Sequence, residues 1–118
     1  MDRSGIEERV ELSLLYDFYG ALLKENQQRM YEMSILEDYG YSEIAEEEGI
    51  SRQAVYDSIK RATKQLREYE EKLGLVARFV KQKDRMKMLH KQLVSMEHSE
   101  NEQWRQIFAL LEEIIAEL

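Results

Sequence analysis

The sequence predicts an all-α protein organised around a helix-turn-helix. It has no proline and only five glycines, so strong breaks in the chain are few. Between the glycines, apolar residues recur at helical rather than alternating spacing. The stretch from Ser42 to Arg61 also places small, glycine, apolar and capping residues where two helices joined by a tight turn need them. We therefore expect a helix-turn-helix bundle over residues 1–73, followed by a C-terminal helical extension over residues 74–118.

Two helices are predicted before this stretch. The first follows a capping box at Ser4–Glu7 and runs to about Leu22, with an apolar face formed by Val10, Leu14, Leu15, Phe18, Tyr19 and Leu22. Gly20 within it indicates close packing against another backbone. The second covers roughly residues 26–39, with Met30, Met33 and Leu36 at helical spacing. Gly40 suits the left-handed position that ends a helix.

The helix-turn-helix itself rests on a set of residues that fit one another. Ala45 is small enough to let two helices cross closely, and Gly49 can adopt the positive φ of a sharp turn. Ser51 is a good N-cap for the second helix. The apolar contacts between the two helices are assigned to Ile44, Ala45, Ile50, Val55 and Ile59. In such motifs the second helix usually enters the major groove of DNA.

The second helix of the motif is long, and two further helices follow it. It continues without a breaker to Leu73, with Ile59, Ala62, Leu66, Tyr69 and Leu73 in a coiled-coil-like pattern. Only its first turns are therefore expected to be free for DNA. After Gly74 we predict a basic amphipathic helix to about Met96, and a last helix opened by a second capping box at Ser99–Glu102. The apolar stripe of that last helix must be covered by the preceding helix or by another chain, which makes a homodimer through the C-terminal helices one of two expectations.

Charge is divided unevenly along the chain. The net formal charge is −7. Residues 1–50 carry −9, residues 51–95 carry +7, and residues 96–118 carry −5. The basic block begins where the second helix of the motif begins, which favours an anionic partner. Pairing of this block with the acidic ends of the same chain or of a second copy explains the pattern equally well.

Several classes of function are disfavoured by what the sequence lacks. It contains no phosphate-binding loop, no nucleophile elbow, no zinc-protease motif and no dinucleotide fingerprint, so we do not expect an enzyme. Without cysteine, and with only His90 and His98, neither a metal site nor a cofactor is expected. No apolar run approaches the ~20 residues of a membrane span. The acidic N-terminus lacks a signal core, so a cytoplasmic location is expected.

The motif resembles two known groups of proteins. The segment EDYGYSEIAEEEGISRQAVYDSIKRA is similar to region 4 of sigma-70 factors. Together with LLYDFYGALL before it and LREYEEKLGL after it, it resembles the YlxM family, small helix-turn-helix proteins of Gram-positive bacteria. The resemblance covers about residues 12–80. Lys24-Glu25 departs from the threonine-proline helix start that is usual for the family.

The resemblance implies two functions that the sequence leaves open. One is a regulatory protein that binds double-stranded DNA through the residues Ser51, Arg52, Gln53, Tyr56, Lys60 and Arg61. The first residues of that set would read bases, and Lys60 and Arg61 would contact phosphates. The other is a factor of the signal recognition particle pathway that uses the helix-turn-helix as a scaffold and contacts the particle's GTPase or its RNA. The chain is too short to hold the other regions of a sigma factor.

Overall fold

The computed structural model describes residues 3–96 and 101–118, with side chains from residue 7 onward. Six α-helices account for most of this part of the chain, and the described residues form no strand. They are α1 (Arg3–Tyr19), α2 (Glu25–Tyr31), α3 (Tyr41–Glu48), α4 (Arg52–Leu73), α5 (Leu75–Ser95) and α6 (Glu102–Glu117). A 3₁₀ turn at Gly20–Leu22 follows α1, and a π-helical turn at Glu32–Leu36 follows α2. The all-α prediction is confirmed.

The chain divides into two compact units, Met1–Val76 and Ala77–Leu118. In the first unit α4 is the central element, since α1, α2 and α3 all pack against it. The apolar residues of α4 that face these helices, Val55, Ile59, Ala62 and Leu66, are buried as the periodicity predicted. Leu73, the last residue of that pattern, is exposed instead. The predicted boundary between residues 73 and 74 stays a prediction.

The first helix has a narrower buried face than the sequence suggested. Leu15 and Tyr19 are buried, but Val10 and Leu22 are 57% and 58% exposed. Gly20 does pack closely, although its neighbour is a ring and not a backbone. A Cβ at this position would lie 2.7 Å from Cε2 of Tyr16. That ring in turn stacks on Tyr31 with a centroid distance of 5.5 Å.

The end of the second predicted helix was placed wrongly. Gly40 has φ −75° and is the N-cap of α3, where its N–H donates to Glu43 Oε1 at 3.3 Å. The left-handed residue is Asp38, with φ 60°. Its conformation lets the Tyr39 N–H reach back to the carbonyl of Met33 at 2.8 Å, after the wider π-helical turn. Because Arg9 pairs with the Asp38 carboxylate at 3.0 Å, a contact from α1 accompanies this turn.

The two predicted capping boxes fall largely outside the described side chains. Helix α1 is already helical at Arg3, one residue before Ser4, and the side chain of Ser4 lies outside the described residues. Ser99 also lies outside them. At the start of α6 the cap is Asn101, whose Oδ1 accepts from the Gln103 N–H at 2.8 Å.

A part-buried hydrogen-bond network joins α1 and the end of α4 to Leu75 and Val76, within the first unit. Gly74 turns the chain with φ 63°. The hydroxyl of Tyr19 donates to Glu70 Oε1 at 2.6 Å and accepts from the Leu75 N–H at 3.1 Å. The same carboxylate accepts from the Val76 N–H at 2.9 Å. Two of the backbone donors that a helix start leaves unpaired are thus satisfied by side chains from α1 and α4.

In the second unit α5 and α6 are paired through aromatic contacts. The His90 ring lies 4.8 Å from that of Phe108, which stacks on Trp104, also at 4.8 Å. Leu111 is buried beside them. A small cavity of about 250 Å³ is lined by Lys87 and His90 on α5 and by Glu112, Ile115 and Ala116 on α6. His90 contacts Phe108, and the cavity brings the earlier residue Lys87 together with the later residues Glu112 to Ala116. The two helices are therefore antiparallel.

Candidate nucleic-acid interface

The turn between α3 and α4 is built as the sequence predicted. Gly49 is left-handed with φ 66°, and the Ile50 N–H donates to the carbonyl of Ala45 at 3.1 Å. Ser51 Oγ accepts from the Ala54 N–H at 3.1 Å, which caps α4. Ile44 and Val55 are fully buried between the helices. Ile50 is the exception, since it is 40% exposed and fills the interhelical angle only in part.

The residues predicted to meet DNA lie together on the first three turns of α4. Ser51 is the cap, and the others are exposed along one side of the helix: Arg52, Gln53, Tyr56, Lys60 and Arg61. Tyr56 is 44% exposed despite its large ring. The structure therefore presents a cluster of donors, an aromatic ring and cations at the helix start. Ser51 differs from the rest because its side-chain oxygen already holds the cap.

An aromatic pair that the sequence analysis missed supports this surface. The ring of Tyr41, at the start of α3, meets the ring of Tyr56 edge to face, with centroids 5.9 Å apart and planes at 73°. Together with Arg52 and Gln53 the two rings line an open cleft of about 570 Å³. Tyr41 stands just before Ser42, so its place beside the motif could have been noticed. Its contact with Tyr56 needs the crossing of α3 and α4.

Asp57 has a partner within this surface. Gln53 Nε2 donates to Asp57 Oδ1 at 3.1 Å, across one turn of α4. An ionised carboxylate can only accept hydrogen bonds, so the amide nitrogen of Gln53 must face Asp57 and its oxygen must face away. The Asp57 carboxylate, which by itself would repel a phosphate, thus orients Gln53, one of the side chains predicted to contact bases.

A second, larger cleft runs along the middle of α4. Its volume is about 1000 Å³, and it lies between α4, α1 and the residues before α3. Cations and carboxylates both line it, namely Lys60, Arg61, Lys64 and Arg67 with Glu8, Asp57, Glu68 and Glu71. Lys60 Nζ also lies 5.9 Å from the centroid of the Tyr56 ring. Lys64 and Arg67 were not among the predicted residues, although their spacing from Lys60 could have indicated a shared face.

The basic strip of α4, formed by Lys60, Lys64 and Arg67, is bordered by carboxylates. Arg67 lies 3.8 Å from the carboxylates of both Glu8 and Glu11 on α1, at the far end of the strip. On α3, Glu43, Glu46 and Glu47 are exposed, while Glu48 pairs with Arg29 at 3.1 Å. Between these carboxylates, the interval from Arg52 to Lys64 carries four cations and one carboxylate, Asp57, so it is basic on balance.

No other kind of site emerges from the described part of the chain. Over residues 3–96 and 101–118, His, Asp and Glu side chains form no group of three or more that could hold a metal ion. In the same residues no helix is both long and apolar enough to cross a membrane.

Comparison with known proteins agrees with this architecture. Residues 6–107 match the family UPF0122, described as "Putative helix-turn-helix protein, YlxM / p13 like". Three similar relatives are UPF0122 proteins of Bacillus cereus, Bacillus anthracis and Bacillus thuringiensis. Each is 40% identical over 109 residues, which cover 92% of this chain and 98% of the relative. The predicted resemblance to the YlxM family is confirmed, and the match extends beyond residues 12–80 to residues 6–107.

Proposed function

The chain belongs to the UPF0122 family of YlxM/p13-like helix-turn-helix proteins, and we propose that it is a regulatory protein that binds double-stranded DNA through the first turns of α4. The observation that carries the proposal is the exposed cluster of Arg52, Gln53 and Tyr56 beside Lys60 and Arg61. These side chains lie on the helix that enters the major groove in proteins of this architecture. The role is one of binding, without catalysis, in the compartment that holds the DNA.

Each side chain suits one part of the DNA. Arg52 can make paired hydrogen bonds to guanine, and the amide of Gln53 can do the same with adenine. Tyr56 presents ring surface for contact with a thymine methyl group. Lys60 and Arg61, one turn further along, match phosphates on the groove edge. Asp57 acts indirectly, because it turns the Gln53 amide to a defined orientation before DNA arrives.

The test is a salt series with labelled duplexes of random sequence, followed by selection of the preferred site. Retention near 50 mM salt that falls steeply with added salt is expected, because each phosphate contact releases counterions. Arg52→Ala combined with Gln53→Ala should lower affinity for the selected site by about ten- to a hundredfold. Lys72→Ala, which removes an exposed cation at the far end of the same helix, serves as the matched control and should bind nearly as the parent does. Absence of any duplex binding at 50 mM salt would overturn the proposal.

A second function is favoured by the carboxylates around the site. Glu43, Glu46 and Glu47 on α3 stand beside the start of α4 and oppose a close approach of phosphates. We propose as the alternative that the chain is a factor of the signal recognition particle, in which the helix-turn-helix serves as a protein- or RNA-binding scaffold. A pull-down with the particle's GTPase, with and without its RNA, distinguishes the two. Enrichment that survives Arg52→Ala and Lys60→Ala would favour the scaffold.

A homodimer joined through the C-terminal helices would present two such α4 surfaces. Dimers of helix-turn-helix proteins read two half-sites, so a site selected by this protein should then be a repeat.

A further inference from the structure

The second unit exposes a continuous apolar face that extends across both of its helices. The residues of this C-terminal apolar face are Leu89 and Met96 on α5 and Ile107, Leu110 and Ile114 on α6. Ile107 and Leu110 are 57% and 58% exposed, so the pairing of α5 with α6 leaves them largely in water. Contiguous exposed apolar residues of this kind usually mark an interaction site.

Helix geometry places these five residues on the same side of the helix pair. His90 and Phe108 make the contact between α5 and α6. Leu89 directly precedes His90, and Ile107 directly precedes Phe108, so each lies about 100° back around its helix from that contact. Since the helices are antiparallel, equal rotations bring both residues to one side of the pair. Met96 is seven residues after Leu89, and Ile114 is seven residues after Ile107. Seven residues are about two helical turns, so each lies on the same side of its helix as the earlier residue.

Charge on the two helices identifies the occupant. Between Leu75 and Ser95, α5 carries six Lys or Arg side chains and one Asp. Between Glu102 and Glu117, α6 carries four Glu and one Arg. A surface that is basic on one helix and acidic on the other is complementary to itself when rotated by 180°. We infer that the C-terminal apolar face binds a second copy of this chain, in a four-helix arrangement in which α6 of one copy lies against α5 of the other.

The symmetry of that arrangement follows from the charges. A twofold axis parallel to the helices sets α5 against α6 of the second copy, with opposite charges facing. A twofold axis across the helices sets α5 against α5, where like charges meet and oppose association. The first arrangement is therefore the one that the sequence stabilises. It buries the apolar residues of both copies between four helices.

One kind of ion pair at the edge of the interface is predicted by register. Lys81 lies nine residues before His90, and Glu117 lies nine residues after Phe108, so the two are at the same height in antiparallel helices. At 100° per residue, both side chains lie opposite the α5–α6 contact of their own copy, at the outer edge of the C-terminal apolar face. Both are exposed, and neither makes an ion pair with another residue that the structure describes. In the dimer, Lys81 of each copy would face Glu117 of the other.

The apolar part of the inference is tested with the full chain by light scattering and sedimentation. The parent should sediment as a species of about twice 14.1 kDa at micromolar concentration. Leu110→Lys should weaken association at least tenfold and leave the helical content unchanged, because the side chain is exposed in a single copy. Val94→Lys is the matched control. Val94 is 55% exposed but lies on the other side of α5, so this variant should still dimerise.

The charged part is tested by two complementary variants. One chain carries Lys81→Glu, and the other carries Glu117→Lys. Each alone should dimerise about tenfold more weakly than the parent, since like charges then meet at the rim. An equimolar mixture should recover parental affinity as a heterodimer. A monomeric parent at 100 µM, a Leu110→Lys dimer as tight as the parent, or no recovery in the mixture would each overturn the inference. None of these outcomes depends on DNA binding, which is measured separately.

Discussion

At the scale of single residues, Tyr19 shows how one side chain joins separate elements. Its ring is buried and packs at 5.9 Å from that of Tyr69, and its hydroxyl bonds Glu70 and the first backbone donor of α5. Tyr19→Phe keeps the ring and removes the hydroxyl. It should lower the free energy of unfolding by about 1–2 kcal/mol, because Glu70 and the Leu75 N–H both lose a partner in a part-buried place. Urea denaturation measures the change.

Tyr69→Phe is the control for this prediction. The Tyr69 hydroxyl makes no hydrogen bond to another described residue, so its removal should change stability by less than about 0.5 kcal/mol. Equal effects of the two substitutions would show that the network at the α4–α5 corner contributes nothing.

The same hydroxyl predicts a response to alkali. Burial raises the pKa of Tyr19, with a further rise from the neighbouring Glu70 carboxylate. Burial also raises the pKa values of Tyr16 and Tyr31. Because the pKa is higher in the folded state than in the unfolded state, the neutral hydroxyls contribute fully to stability below the ordinary tyrosine pKa of ~10. That contribution is lost as the pH rises toward the folded-state pKa. The free energy of unfolding should therefore not change with the ionisation of these tyrosines up to about pH 9, and it should fall above that pH. The fall should be smaller in Tyr19→Phe than in the parent.

At the scale of elements, the features decided by local chemistry were the predictable ones. Gly49 and Ser51 follow from the φ and the hydrogen-bond acceptor that a tight interhelical turn requires, and both are found where expected. Gly40 was misread because a glycine also suits the N-cap of the next helix, and the preceding turn closes through Asp38. The local sequence does not distinguish a glycine that ends one helix from a glycine that caps the next, since the π-helical turn packs against α1 and α3.

The spacing of apolar residues likewise predicted which side of a helix is apolar better than it predicted how much of that side is buried. Residues such as Val10 and Leu22 share an apolar face with Leu15, but only the packing of α1 against α4 decides how much of that face is covered. Tyr41 was missed at the candidate site for a related reason, since its contact with Tyr56 depends on the crossing of α3 and α4. Lys64 was missed although its spacing of four residues from Lys60 places both on one face of α4.

Helix α4 provides a prediction for a whole element, because its cap and its reading surface share one turn. Ser51→Ala removes the acceptor for the Ala54 N–H and should cost about 1 kcal/mol of stability. Fraying of the first turn should also weaken the proposed DNA binding, although Arg52, Gln53 and Tyr56 are unchanged. Ser51→Asp keeps a capping acceptor and should retain stability, and its added charge beside the phosphates should weaken binding. Unchanged stability in Ser51→Ala would mean that the cap does not hold the helix start.

At the scale of the whole molecule, the uneven charge has a structural counterpart. The net charge of −7 disfavours DNA at long range. Yet the exposed side of α4 from Arg52 to Lys64 is basic, with carboxylates at either end of that interval. The sequence could show that the basic block starts at α4. It could not show that Glu8 and Glu11 lie beside Arg67, because residues so distant in sequence meet only in the fold.

This arrangement limits the number of phosphates that one copy can contact. In the proposed complex, Lys60 and Arg61, with Lys64 at the edge, would provide two or three contacts, and Arg67 would make none because it is paired with acidic neighbours. Since the logarithm of the binding constant falls by about 0.9 per phosphate for each logarithmic unit of salt, one copy should give a slope of about −2 to −3. A dimer on two half-sites should give about twice that slope. Leu110→Lys should return the slope to the single-copy value, while Arg67→Ala should leave it unchanged in either state. If the salt slope of the variant that carries both Lys60→Ala and Arg61→Ala equals that of the parent, the phosphates are bound elsewhere on the molecule.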